Sequence, residues 1–135
     1  MSVIKSRRSE SQMEFITKAR ELQIYTIKKC VNFPKRYTFY VSQPIVNAAT
    51  NIHVLVKKAN TIYPTNKHES QNRIDLLVEA KGELYSLISL VEVAKELFDI
   101  SGKSIKHWMD IIEDEIRLVN GTLKKDRAQR NKFEE

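Results

Sequence analysis

Glycine and proline are scarce, with three of each in 135 residues. Sandwiches, barrels and doubly wound sheets turn often, and their turns draw on clusters of Gly, Pro, Asn and Asp. So few breaks predict long helices with few connections. Cysteine is scarcer still. A lone Cys30 excludes an internal disulfide and a cysteine-built zinc or iron–sulfur site, and it fits a reducing compartment. No stretch approaches the roughly 18 uninterrupted apolar residues of a membrane span. The basic opening Met1-Ser2-Val3-Ile4-Lys5-Ser6-Arg7-Arg8 runs into no apolar segment. Neither a span nor a secretion signal is expected, and the cytoplasm is the expected location.

Carboxylates are also missing from one long stretch. The chain carries 23 Lys+Arg against 17 Asp+Glu, a net +6. Residues 22–68 hold seven bases (Lys28, Lys29, Lys35, Arg36, Lys57, Lys58, Lys67) and no acid, whereas residues 69–123 hold six bases and eleven acids. In soluble helices Glu and Lys normally alternate on the wet face. A run of 47 residues without a carboxylate therefore admits two readings: lysines solvating ordinary helix faces, or a basic surface for a polyanion such as nucleic acid.

What is present is helical periodicity in four segments. The first, from about Ser9–Ser11 to Asn32, places Ile16, Ala19, Ile27 and Cys30 on one face, with Phe15, Leu22, Ile24 and Tyr25 widening the stripe; Phe33-Pro34 ends it. The second, from about Tyr37 to Asn60, repeats Val41, Ile45, Ala48, Ile52, Leu55 and Ala59 at spacings of three and four. Pro44 lies inside that pattern and predicts a kink or a late start. The third, from about His68–Ser70 to Phe98, has Leu77, Leu84, Leu87, Val91, Ala94 and Phe98 as its seam, with Ile74, Val78 and Ile88 beside it and Gly82 in its interior. The fourth, from Ser104 to about Lys125, carries Ile105, Met109, Ile112, Ile116, Val119 and Leu123, with Trp108 alongside and Asp110, Glu113, Asp114 and Glu115 on the opposite, wet side. Four such helices with short links predict an all-α, up-down-up-down four-helix bundle over residues 12–125, between a basic tail at 1–11 and a charged tail at 126–135.

Catalytic equipment is not found. Gly102-Lys103-Ser104 resembles the end of a phosphate-binding loop, but Leu97 stands where its first Gly belongs, and a serine cap at Ser104 explains it better. Di-iron bundles need Glu-x-x-His pairs, and Thr50, Thr65 and Ser104 precede His53, His68 and His107 at that spacing. Cys30 and Trp108 read as core residues. No enzyme activity, cofactor or metal is expected.

Two features exceed what a self-contained bundle needs. His53-Val54-Leu55-Val56 lies beside the second seam, and the first helix is apolar around most of its girth. Surplus apolar surface predicts burial against another subunit, with His53, Val54 and Val56 as the candidate interface.

A family resemblance follows from short motifs spread over residues 12–125. They are Phe33-Pro34-Lys35 closing the first helix, then Ile45, Ala48-Ala49, Asn51-Ile52 and Ala59-Asn60 on the second. Arg73, Glu96-Leu97, Ile100-Ser101, Glu115-Ile116 and Asn120-Gly121 continue them. Together they resemble the four-helix-bundle family of the proteins encoded in 23S ribosomal RNA intervening sequences and the accessory variability determinant (Avd) proteins of diversity-generating retroelements. The second helix continues as Val54-Leu55-Val56-Lys57-Lys58-Ala59-Asn60, without the Ala-Glu-Gly that follows Asn-Ile in the intervening-sequence branch, so the chain looks nearer the Avd branch. Gly121-Thr122 stands where the family commonly has Gly-Trp. The resemblance implies a ring-like homopentamer with a basic outer surface. It also implies association with a retroelement reverse transcriptase, and nucleic-acid binding without chemistry of its own in mutagenic copying of a template RNA.

The expected function is therefore a non-enzymatic, oligomeric accessory protein that binds RNA or DNA with little regard to sequence. Lys28, Lys29, Lys35, Arg36, Lys57 and Lys58 are the candidate phosphate contacts, helped by Arg7, Arg8, Lys124, Lys125, Arg127 and Arg130 from the tails. The alternative is a protein–protein adaptor, or an intervening-sequence-encoded bundle, that does not touch nucleic acid.

Overall fold

The computed structural model describes residues 2–133, with side chains described from Met13 onward. Four helices make up the chain: α1 (Ser2–Cys30), α2 (Gln43–Asn60), α3 (Lys67–Leu97) and α4 (Gly102–Lys132). A 3-10 turn at Lys35–Tyr37 and a π turn at Thr38–Ser42 join the first two, and no strand occurs among the described residues. α1 packs on α2 and α4, and α3 packs on the same two, so α1 and α3 stand at opposite corners of a four-helix bundle.

Local chemistry sets the ends. Pro34 holds an extended backbone (φ −55°, ψ 133°) that no helix can cross, and α1 finishes before it. Pro44 falls in the first turn of α2, where a missing N–H is tolerated, so the α-helix proper starts late, at Gln43. Just before it, the Gln43 N–H donates to the Thr38 carbonyl five residues back, the wide spacing of a π turn. Asn66 accepts from the Glu69 N–H at 2.9 Å, and the Glu69 carboxylate accepts in return from the Thr65 N–H and hydroxyl at 2.8 Å each. This reciprocal cap opens α3. α4 is capped by Ser101, whose hydroxyl accepts from the Ser104 N–H at 3.1 Å. Ser104 is thus inside the helix and not its cap.

The α2 seam is buried in full: Val41, Ile45, Ala48, Ile52, Leu55 and Ala59, with Ala49 and Val56 added. Each large aliphatic side chain so buried contributes roughly 1.5–3 kcal/mol. On α1 the buried stripe is Phe15, Ala19, Leu22, Thr26 and Cys30; Ile16 is half-buried and Ile27 faces out. Thr26 is drawn inward because its hydroxyl accepts from the Trp108 indole N–H at 3.0 Å, the two being wholly buried. Val78 on α3 also faces solvent, and a Cβ at Gly82 would meet nothing within 4 Å, so that glycine marks no close packing inside the protomer.

Two further expectations change. Glu115 is not on the wet side of α4: it is fully buried, since it lies between Ile111 and Val119 on the inward stripe. Residues 126–132 are not a loose tail but the last two turns of α4, docked on α3. There Arg73 donates to Asp126 at 2.7 Å, and Arg130 donates to the Gln71 side-chain carbonyl at the same distance. At the other terminus α1 runs from Ser2, so the backbone expected as a basic tail is helical.

Candidate nucleic-acid interface

Antiparallel packing decides where the candidate bases go. Gln23 on α1 donates to the Thr50 hydroxyl at 3.2 Å, and the His53 Nδ1–H donates to the Gln23 Oε1 at 2.7 Å. These bonds set the level of α1 against α2. Lys28 and Lys29 lie beyond that level toward one end of the bundle, and Lys57 and Lys58 lie toward the other. At 1.5 Å per residue the two pairs are about 15 Å apart along the axis. The expected single basic face on the first two helices is therefore two basic ends. Between them the exposed side of α2 is uncharged, with Gln43, Asn47, Asn51 and Val54.

Lys28, Lys29, Lys35 and Arg36 gather at the end where α1 passes into α2, here the upper end. Lys28, Lys35 and Arg36 are exposed. Lys29 is half-buried and committed: its Nζ donates to the Ser104 hydroxyl at 3.0 Å and lies 5.2 Å from the Tyr25 ring. The Arg36 guanidinium lies over the Tyr37 ring at 5.2 Å. The lower end carries exposed Lys57 and Lys58 on α2 and, on the diagonally placed α4, exposed Lys124, Lys125 and Arg127. Among the described residues none of Lys28, Lys35, Arg36, Lys57, Lys58, Lys124 and Lys125 makes an ion pair. The side chains of Arg7 and Arg8 lie outside the described residues.

Acids also occur at both ends, Asp126 and Glu69 at the lower and Glu96 and Asp99 at the upper. A groove of about 790 Å³ between α3 and α4 is rimmed by Glu92, Glu96 and Glu113 around Ile88, Ile105 and Met109. Asp110 pairs with Lys106 at 3.1 Å, and Asp114 pairs with Arg117 and, at 3.7 Å, with Lys18. No group of three or more His, Cys, Asp or Glu side chains that could hold a metal occurs among the described residues.

Of the candidate oligomer contacts, Val56 is fully buried in its own protomer and is no surplus surface, because α2 turns it toward the core with Ile52 and Ala59. Val54 is exposed. His53 is half-buried and already bonded to Gln23; burial, then the positive charges of Arg20 and Lys57, hold its imidazole below the ordinary value. The larger exposed apolar surface includes the girth of the first helix, which the sequence marks as surplus; its part on α3 was not singled out. Met13, Ile24, Ile27 and Val31 line the outer side of α1, and Val78, Tyr85, Val93 and Leu97 line the outer side of α3.

α2 is 18 residues long against 31 for α3 and α4, and below its last turn a cavity of about 370 Å³ opens. Phe15, Tyr63, Arg73, Lys125 and Asp126 line it. Buried Arg73 and half-buried Asp126 are committed to each other. Sequence reasoning also passed over Phe39 and Tyr40, both on the surface at the upper end. The signal for them was a run of two bases followed by aromatics, Lys35-Arg36-Tyr37-Thr38-Phe39-Tyr40. Comparison of the chain with family models, with curated proteins and with solved structures gives no match.

Proposed function

We propose that this protein is a non-enzymatic nucleic-acid-binding accessory protein that acts as a homo-oligomer. The observation that carries the reading is the separation of charge: residues 22–68 bear seven bases and no carboxylate, and exposed Lys28, Lys35, Arg36, Lys57 and Lys58 make no ion pair among the described residues. Unpaired Lys and Arg on a surface gather phosphates and release counterions, so affinity falls with salt and depends little on base sequence.

The resemblance to the Avd branch supports the same reading and extends it. Under it the chain forms a ring-like homopentamer in the cytoplasm and serves a retroelement reverse transcriptase. The apolar stripes on α1 and α3 suit a ring, because they occupy opposite corners of the bundle. A contact of the α1 stripe on the α3 stripe of the next copy is head-to-tail, and head-to-tail contacts close into a ring when the rotation between copies closes.

The test is fluorescence anisotropy with labelled RNA and DNA of several sequences at roughly 50 and 200 mM salt, with and without an acidic protein competitor. Salt-dependent binding of similar strength across sequences is expected. Absence of nucleic-acid binding, with capture of the acidic protein, would favour the adaptor reading instead.

A further inference from the structure

We infer that Phe39 and Tyr40, flanked by Lys35 and Arg36, form a stacking platform for single-stranded nucleic acid at the upper end of the bundle. The inference rests on the nucleic-acid reading above and assigns it a site and a strand form.

Phe39 is 78% exposed and Tyr40 82% exposed, the two most exposed of the large hydrophobic side chains described. They are adjacent, and they lie in the π turn between α1 and α2. Their exposure does not come from a loose segment. Tyr37, two residues earlier, stacks on Phe98 with ring centroids 5.2 Å apart and planes at 28°. Phe98 meets Phe33 edge-on at 4.7 Å, and Phe33 lies 6.3 Å from the buried Trp108. On the other side of the pair Val41 and Ser42 are buried. The connection is thus pinned on both flanks to the core, with Phe39 and Tyr40 standing out between the pins. The backbone that carries the rings is held in place before any ligand arrives, which lowers the ordering cost of binding.

Charge selects the occupant. Exposed Lys28, Lys35 and Arg36 precede the rings in the chain, Lys35 and Arg36 by three to five residues, and no carboxylate occurs between residues 22 and 68. The opposite link brings Asp99, next to Phe98, as an acid at this end, and Lys103 follows it four residues later. A second copy of this chain docked here through its own basic end would bring like charges together. A single strand satisfies both features, since its phosphates meet the bases and its unpaired bases stack on the rings. A duplex offers the phosphates but hides its base faces, so only a single strand uses Phe39 and Tyr40.

The experiment compares the wild-type chain with Phe39→Ser/Tyr40→Ser, by anisotropy on an oligomer of about 20 nucleotides as single-stranded DNA, single-stranded RNA and duplex. Circular dichroism and thermal unfolding check the fold, and an iodouridine-bearing strand is photocrosslinked to the wild type and mapped by mass spectrometry. Single-strand affinity should fall about tenfold or more while duplex affinity and salt slope hold, stacking of a base on one ring being worth roughly that factor. Crosslinks should fall on Phe39 or Tyr40. Unchanged single-strand affinity, or crosslinks only elsewhere, overturns the platform and leaves nucleic-acid binding standing. Wild-type protein that binds no strand at all overturns the underlying function. A variant whose light-scattering mass drops, or that loses sedimentation with anionic vesicles, while its strand binding is unchanged, assigns the rings to self-association or to a lipid surface and also overturns the platform.

Discussion

Arg73 Nε donates to Asp126 Oδ2 at 2.7 Å across 53 residues of sequence, with the two side chains 10% and 17% exposed. The same guanidinium donates through Nη1 to the Ala59 and Ile62 carbonyls at 2.9 and 3.3 Å. One side chain near the start of α3 thereby satisfies carbonyls at the end of α2 and fastens the end of α4. Removing one member of a largely buried pair leaves the other without compensation, a loss of about 3 kcal/mol. Arg73→Met should therefore cost about 3 kcal/mol in denaturant unfolding, and Asp126→Asn, which keeps an acceptor, about 1 kcal/mol. A loss below about 1 kcal/mol for Arg73→Met would show that the latch holds nothing.

Glu115 makes stability depend on pH. Both of its carboxylate oxygens are buried without a hydrogen-bond partner, and burial pushes the carboxyl from 4.5 up to about 9, against a smaller downward pull from Lys18. Between pH 4.5 and 9 the folded protein therefore keeps a proton that the unfolded chain has released. Wherever the folded state binds more protons, stability falls as pH rises. The contribution is complete below pH 4.5 and is lost progressively toward pH 9. Glu115→Gln carries no such proton. It should match the wild type near pH 4 and exceed its stability by about 3 kcal/mol at pH 7. Parallel stability curves for the two proteins from pH 4 to 8 would contradict a neutral buried carboxyl.

These two residues show what the sequence could and could not say. The α2 seam was legible because its apolar positions form one narrow stripe among polar ones, and all six are buried. On α1 apolar residues surround the helix, so periodicity could not choose between Ile27 and Thr26. The choice is made by the Trp108 indole, 82 residues away. Glu115 sits at seam spacing from Ile111 and Val119, yet its charge and its acidic neighbours suggested solvent. The charge asymmetry of the chain was legible in one dimension. Its division between two ends follows from helices that run antiparallel, which puts residues near the ends of α1 and α2 far apart.

Gly82 separates protomer stability from assembly. Its position is open to a Cβ, so Gly82→Ala should raise protomer stability by about 1 kcal/mol. Ile27→Glu and Val78→Glu each break one of the two apolar stripes, and each alone should scatter light as a monomer. Mixed, they should form a one-to-one dimer through the α3 stripe of the first and the α1 stripe of the second. Failure to pair on mixing would rule out a head-to-tail contact between α1 and α3.

Cys30 should be silent as a nucleophile. It is buried at the end of α1, and burial pushes its thiol up to about 12. The thiolate is the reactive form, so a disulfide reagent at pH 8 should label the native protein only as fast as it unfolds. Labelling within seconds, without denaturant, would mean that the α1 end opens locally.

Under the proposed nucleic-acid function, the two basic ends should make separable contributions to polyanion binding. Lys28→Glu/Lys35→Glu alters the upper end alone, and Lys57→Glu/Lys58→Glu the lower end alone; all four side chains are exposed, so the fold should survive. Each phosphate deprived of its basic partner lowers the slope of log affinity against log salt by about 0.9 on duplex and about 0.7 on a single strand. If both ends hold the same strand, each double variant should lower the slope by between one and two on an oligonucleotide long enough to span about 15 Å of helix axis. On a shorter probe only one end can be engaged, and reversal of the other should leave its slope unchanged. A slope that neither variant moves, on either length, would remove these four lysines from the interface.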